Sequence, residues 1–132
     1  MSADQQVYFD ASALVKLVIQ EAESPALESW LGQRIIVSCA LARTKVVRAV
    51  ADRGRDGILR ARRLLDRIDL IQLDDELLDL AAQLDALLRS LDAIHVAAVL
   101  ELGDALEALV TYDARVAAAA TALGVPVASP GL

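Results

Sequence analysis

Residues 7–17 read VYFDASALVKL, and this stretch decides the class of fold that the chain adopts. Its first three residues, VYF, favour a β-strand, and Asp10 ends that run. Beyond Asp10, the apolar residues Leu14, Leu17 and Val18 recur at helical spacing. The stretch therefore predicts a strand that passes directly into a helix, which is the repeating unit of an α/β fold.

The same alternation continues along the rest of the chain. Predicted strands cover residues 7–9, 35–37, 68–73, 108–111 and 125–128. Predicted helices cover residues 11–21, 25–31, 39–52, 58–67, 75–89, 91–102 and 114–123. Ser24 and Ser38 are expected to cap helices, and Gly54 and Gly57 to mark a turn. We therefore expect a mostly parallel five-stranded sheet with helices on both faces.

Length and composition favour one folded unit. The chain has 132 residues, 56% of them apolar and 24% charged, so we expect a single domain over residues 1–132 with a substantial core. Only 3% of the residues are aromatic. The core is therefore expected to consist of Ala, Leu, Val and Ile side chains.

Cysteine usage and hydropathy indicate a compartment. Cys39 is the one cysteine, which favours a reducing environment. Residues 1–10, MSADQQVYFD, have neither the basic nor the apolar region of a secretory signal. No uninterrupted apolar run reaches the roughly 20 residues that a membrane span needs. We expect a cytoplasmic protein without membrane association.

Charge is distributed unevenly along the chain. The formal net charge is −6, yet residues 43–67 contain nine Lys or Arg and three Asp, which leaves the remainder at −12. An acidic chain does not favour non-specific binding to nucleic acid. The basic segment predicts a local phosphate-binding face or, alternatively, a solvated helix surface. Four of its arginines are expected either to contact RNA phosphates or to form salt bridges with the acidic remainder: Arg60, Arg62, Arg63 and Arg67.

Three aspartates mark a candidate site. Asp10 follows the first predicted strand, Asp113 follows the fourth, and Asp92 begins a predicted helix. In an open parallel sheet, sites form beyond the carboxyl ends of strands, and a hard divalent cation needs several carboxylate oxygens together. Each aspartate taken singly is also a favoured helix cap. The residues alone predict either an acidic metal site or three separate caps.

Three motifs resemble those of PIN-domain ribonucleases, in the order and over the span typical of that family. They are VYFDASALVKL at residues 7–17, LRSLDAIHVAAVLELG at 88–103 and LVTYDARVAAAATALGVPVASPG at 109–131. The resemblance is to the toxin half of bacterial VapBC-type pairs, the VapC toxins. It implies a three-layer PIN-like α/β fold and hydrolysis of RNA phosphodiesters with Mg²⁺ or Mn²⁺.

The resemblance also implies residue roles and partners. Asp10, Asp92 and Asp113 would be the carboxylates that bind the metal ion, and Ser12 and Thr111 would be hydroxyls close to it. The partners implied are an RNA substrate, a second copy of the chain in a homodimer, and a cognate antitoxin protein that inserts a segment at the acidic groove.

One position departs from the family pattern. In SCALARTKVVRAV, residues 38–50, Lys45 occupies the place of the family's second acidic residue. An ammonium group beside three carboxylates competes with a metal ion, so we expect weak metal binding and impaired hydrolysis. The lysine is either native or an inactivating substitution in a toxic protein, and the intact surrounding motif favours the second. Arg43 and Arg48 flank it and are expected to contact RNA phosphates.

Other interpretations remain open at this point. Loss of the acid would equally suit a catalytically inactive PIN-like module that binds antitoxin or RNA without cleaving it. A receiver-like signalling domain is disfavoured, because Ala11 rather than an acid follows Asp10 and no lysine follows Val127. His95, three residues after Asp92, is expected to be a packed core residue rather than a general base.

Overall fold

The protein is built on a five-stranded parallel sheet. The computed structural model describes residues 5–132. Residues 1–4 lie outside this range, and with them part of the N-terminal stretch for which no secretory signal is expected. The strands are β1 (Gln6–Phe9), β2 (Ile35–Cys39), β3 (Asp69–Ile71), β4 (Leu106–Val110) and β5 (Val127–Ala128). Across the sheet they lie in the order β3-β2-β1-β4-β5. The parallel five-stranded sheet predicted from the sequence is confirmed.

Seven α-helices join the strands over residues 5–132. They are α1 (Ala11–Val18), α2 (Ser24–Leu31), α3 (Ala42–Val50), α4 (Gly54–Arg67), α5 (Asp75–Ala82), α6 (Ser90–Leu102) and α7 (Ala114–Ala122). Short 3-10 turns follow α3 and α6. Within the described range, none of these helices combines the length and apolar character needed to cross a bilayer.

Helices cover both faces of the sheet, and β1 shows how the sequence produces this. Side chains alternate along a strand, so Val7 and Phe9 pack among α1, α2, α3 and α4, while Tyr8 packs among α5, α6 and α7. All three side chains are fully buried. A strand buried on both faces needs a continuous apolar run, which explains why VYF contains no charged residue.

The predicted helix over residues 75–89 is wrong in its second half. α5 ends at Ala82, and a non-helical segment connects it to α6. The Asp85 side chain accepts a hydrogen bond from the amide of Leu87 at 2.9 Å. Such a local turn competes with the helical hydrogen bonds. Arg89 consequently stands just before α6, with an extended backbone.

Two predicted caps and one predicted turn are also wrong. Ser38 lies within β2, where its hydroxyl donates to the Phe9 carbonyl at 2.7 Å, and α3 begins only at Ala42. Ser24 is itself the first residue of α2, and its hydroxyl donates to the Lys16 carbonyl. Gly57 is a helical residue of α4, so the turn is made at Gly54 alone, where φ is +74°.

Candidate active site

Asp10 lies at the carboxyl end of the central strand and is almost fully buried, with 4% of its surface exposed. Its Oδ1 accepts hydrogen bonds from the Ser12 hydroxyl at 2.6 Å and from the Ala13 amide at 3.1 Å. Its Oδ2 accepts one from the Thr111 hydroxyl at 2.5 Å. Burial raises the pKa of Asp10, these hydrogen bonds oppose that rise, and the charge of Asp113 adds to it. A second carboxylate is therefore close enough to act on Asp10.

Asp113 is joined to Asp10 through Thr111. The Thr111 hydroxyl, which donates to Asp10, accepts a hydrogen bond from the Asp113 amide at 3.1 Å. The Asp113 Oδ1 caps α7 by accepting from the amides of Arg115 and Val116. The pairing of β1 with β4 sets this arrangement, since Phe9 lies opposite Val110 in parallel register. Both strands therefore deliver an aspartate to the same edge.

Arg89 links Asp92 to Asp113. Its Nε lies 3.1 Å from the Asp92 Oδ2, and its Nη2 lies 3.6 Å from the Asp113 Oδ2. Sequence reasoning missed this residue, although the signal was present: Arg89 and Asp92 are three residues apart at the start of a helix. The guanidinium group is two-thirds exposed. Its positive charge binds the two carboxylates as a metal ion would, but only weakly, because exposed ion pairs contribute about 1 kcal/mol or less.

The helix-cap explanation fits two of the three aspartates. Asp10 and Asp113 cap α1 and α7 with their side chains, as that alternative predicted. Asp92 caps nothing: it lies in the first turn of α6, 4% exposed, and the cap position belongs to Arg89. A buried carboxylate without a capping role needs a positive partner, and Arg89 supplies one.

Lys45 lies on α3, half-buried. Across residues 5–132 its ammonium group makes neither an ion pair nor a hydrogen bond. Its charge adds to burial in lowering the pKa of His95, and it opposes the burial that raises the pKa of Cys39. Lys45 therefore acts on Cys39, at the carboxyl end of β2, and on His95, on the inner side of α6.

The donor atoms suit a hard divalent cation, but their present arrangement does not. Carboxylate oxygens are the ligands that Mg²⁺ and Mn²⁺ prefer. However, among the residues that the structure describes, no three His, Cys, Asp or Glu side chains lie close enough together to hold a metal ion. Asp10 shares its oxygens with two hydroxyls and an amide, and Arg89 occupies Asp92 and Asp113. A metal ion could therefore enter only if Arg89 moved and the carboxylates reoriented.

His95 is a packed core residue, as expected. It is 1% exposed, and its Nδ1 lies 2.7 Å from the Tyr8 hydroxyl and 3.7 Å from the Cys39 sulfur. Burial, and then the charge of Lys45, lower its pKa to about 4. The imidazole is therefore neutral at physiological pH and holds Tyr8 in place on the α5–α7 face of the sheet.

The buried His95 predicts a loss of stability in acid. In the unfolded chain His95 is protonated below its ordinary pKa of 6.5, whereas the folded chain resists protonation down to a pKa of about 4. The contribution of neutral His95 to the free energy of unfolding is therefore complete above pH 6.5 and is lost as the pH falls. Between pH 7 and pH 5 the free energy of unfolding should fall by about 2 kcal/mol. Urea unfolding of the parent and of His95→Asn, which keeps an acceptor for Tyr8, checks it. The variant should lose most of this slope, and an unchanged slope would assign it to other groups.

Comparison with known proteins places this geometry in a class. The PIN domain family matches residues 7–122. The crystal structure of VapC20 from Mycobacterium tuberculosis, described as a sarcin-ricin loop cleaving toxin, superposes with a TM-score of 0.71 over 86% of this chain and 94% of that chain, at 16% identity. The fold is therefore that of a PIN domain, and the receiver-like alternative is excluded.

Sequence similarity specifies the branch of that class. Ribonuclease VapC46 of M. tuberculosis strain H37Rv is 46% identical over 94% of this chain and 97% of its own length. Ribonuclease VapC47 of strain CDC 1551 is 42% identical over 95% and 97%. The chain belongs to the VapC family of PIN-domain ribonuclease toxins.

Proposed function

We propose that this protein is a metal-dependent endoribonuclease toxin whose hydrolysis is impaired by Lys45. The observation that carries the proposal is the continuous set of contacts from Asp10 through Thr111 to Asp113, and from Asp113 through Arg89 to Asp92. Asp10, Asp92 and Asp113 would hold Mg²⁺ or Mn²⁺, with the hydroxyls of Ser12 and Thr111 orienting Asp10. The bound ion would supply an activated water and hold the scissile phosphate.

The chain's own groups set the limits of this activity. Ser12 and Thr111 both donate to Asp10, so they keep its buried carboxylate oriented. Arg89 places a positive charge between Asp92 and Asp113, and Lys45 adds a second one where the family has an acid, so both would lower the attraction for a divalent ion. We therefore expect slow cleavage that needs more metal than a site with four acids. Lys45 as an inactivating substitution stays a prediction.

Partners follow from the family and from charge. We propose that a cognate VapB-type antitoxin inhibits the protein in the cytoplasm, and that the toxin acts as a homodimer. Outside residues 43–67 the chain carries a charge of −12, which favours a basic inhibitor segment. An antitoxin arginine reaching the site would compete with Arg89 for Asp92 and Asp113, because both carboxylates are already within reach of a guanidinium group.

A second candidate is a PIN-like module that binds without cleaving. It is favoured by the same two cations and by the lack, over residues 5–132, of three metal-binding side chains in contact. Such a module would retain antitoxin and RNA binding while the acidic residues served only to place Arg89.

Cleavage assays distinguish the two candidates. Purified protein would be incubated with structured RNAs, including the sarcin-ricin loop, over a Mn²⁺ series from micromolar to millimolar. We expect slow cleavage that rises with Mn²⁺ and stops with EDTA. Asp92→Asn should reduce the rate at least tenfold, which shows that the activity is not a contaminant. Cleavage absent at every Mn²⁺ concentration, or equal in Asp92→Asn, would favour the binding module.

A further inference from the structure

A surface groove of about 630 Å³ lies between α3 and the start of α6. It is lined by Thr44, Lys45, Arg48, Ala49, Ala51 and Leu91. Leu91 immediately precedes Asp92, so the groove and the acidic site share the first turn of α6. Its lining combines small and apolar side chains with two cations and contains no acidic residue.

Both cations of this groove are uncompensated. Lys45 and Arg48 are three residues apart on α3, which places them on neighbouring positions of one helix face. Neither makes an ion pair with any residue from 5 to 132. Lys16, Arg34 and Arg89, in contrast, all contact carboxylates. The two groove cations are therefore free to bind an anion from solution.

Unpaired arginines also lie on the α3–α4 surface. Within the described part of residues 43–67, the one ion pair is Arg53 with Asp52, at 4.0 Å. The alternative in which the acidic remainder neutralises these arginines is therefore not what the structure shows. A second groove, of about 390 Å³, is lined by Arg43 from α3, by Arg62 and Asp66 from α4, and by two apolar side chains. Asp66 forms an ion pair with neither arginine, so this surface adds positive charge that would attract a polyanion.

We propose that the α3–α6 groove binds the phosphate backbone of RNA through Lys45 and Arg48, without a divalent cation. The inference rests on the proposed function only in taking RNA as the ligand. A site with four acids repels phosphate until metal ions bind, whereas here Lys45 offers its ammonium group to the phosphate directly. RNA binding and RNA cleavage would then have separate requirements for metal.

Binding measured in EDTA tests the proposal. A fluorescein-labelled 12-nucleotide RNA would be titrated with the parent, Lys45→Gln and Arg48→Gln, and its anisotropy recorded at several salt concentrations. We expect the parent to bind in EDTA and each variant to bind about fivefold to tenfold more weakly. The slope of log Kd against log salt should fall by about 0.7 in each, the value for one lost phosphate contact on a single strand.

The matched control is Arg60→Gln on α4, which removes the same charge from an exposed side chain outside both grooves. It should change the Kd less than twofold, and circular dichroism should show all variants folded. RNA binding that requires Mg²⁺, or that weakens equally in Arg60→Gln and Lys45→Gln, would overturn the proposal. Because no cleavage is measured, the proposed nuclease activity could fail while this binding stands, or the reverse.

Discussion

Replacing Lys45 with glutamate is expected to raise Mn²⁺ affinity and ribonuclease activity at least a hundredfold. The change replaces a positive charge with a carboxylate at the position where the family has its fourth acid. Two unit charges about 4 Å apart interact by as much as roughly 4 kcal/mol at the effective dielectric of a protein surface. A hundredfold gain requires about 2.8 kcal/mol, which lies within that limit.

Calorimetric Mn²⁺ titration and RNA cleavage rates measure the two effects separately. Arg48→Glu is the matched control for the metal titration alone, because it reverses the same charge one turn along α3 at an exposed position. It should change metal affinity only a few-fold. Growth arrest on expression of Lys45→Glu, absent with the parent, would support the view that Lys45 inactivates a toxin. A folded Lys45→Glu protein with unchanged metal affinity would contradict it and favour the binding module.

Asp10→Asn is expected to stabilise the protein and, in the Lys45→Glu background, to reduce cleavage about a thousandfold. Burial raises the pKa of Asp10, so its ionised form is unfavourable in the folded state. Asparagine has the same shape and keeps an acceptor for Ser12 and the Ala13 amide, while its amide nitrogen gives up the bond from the Thr111 hydroxyl and can donate to that oxygen instead. We expect a gain of about 1 kcal/mol at pH 7, which for a domain of this size raises Tm by roughly 4 °C. Cleavage falls because a metal-binding carboxylate is lost.

The pH dependence identifies the cause of this stabilisation. A raised pKa means that the destabilisation from Asp10 is present above its folded pKa and disappears below the unfolded value of 3.8. The advantage of Asp10→Asn should therefore shrink as the pH falls. Asp74→Asn is the control, since Asp74 caps α5 in the same way but is exposed. It should change Tm by less than about 1 °C. Equal effects in both variants would mean that capping, not burial, is responsible.

Local sequence patterns predicted the alternation of strands and helices. That alternation in turn predicted a parallel sheet with its site at the carboxyl ends of the strands. VYF before Asp10, and LVT shortly before Asp113, are short β-prone runs closely followed by an acid. Parallel pairing then brings those acids to one edge of the sheet. The family resemblance favoured the metal site over three separate caps and added the departure at Lys45, which periodicity does not distinguish from an ordinary helix residue.

What the sequence did not predict depends on side-chain contacts across the fold. The role of Arg89 required the helix over residues 75–89 to end early, and in the segment after α5 the Asp85 side chain accepts a hydrogen bond from the Leu87 amide that competes with helical hydrogen bonds. Serine is a favoured helix cap, but Ser38 lies in β2. The pairing of β2 with its neighbouring strands extends two residues further than the apolar pattern indicates. Lys45 and Arg48 are likewise unpaired because, among residues 5–132, no carboxylate lies within ion-pair distance of either. The sequence alone does not show this.

The bond between Thr111 and Asp10 spans 101 positions of a 132-residue chain. During translation, Asp10 leaves the ribosome long before Thr111 and Asp113 are made, so the nascent polypeptide has no assembled acidic centre. Any fragment that stops before β4 should be harmless to the cell that makes it. Cleavage, where the catalytic residues permit it, can therefore begin only when synthesis is nearly complete.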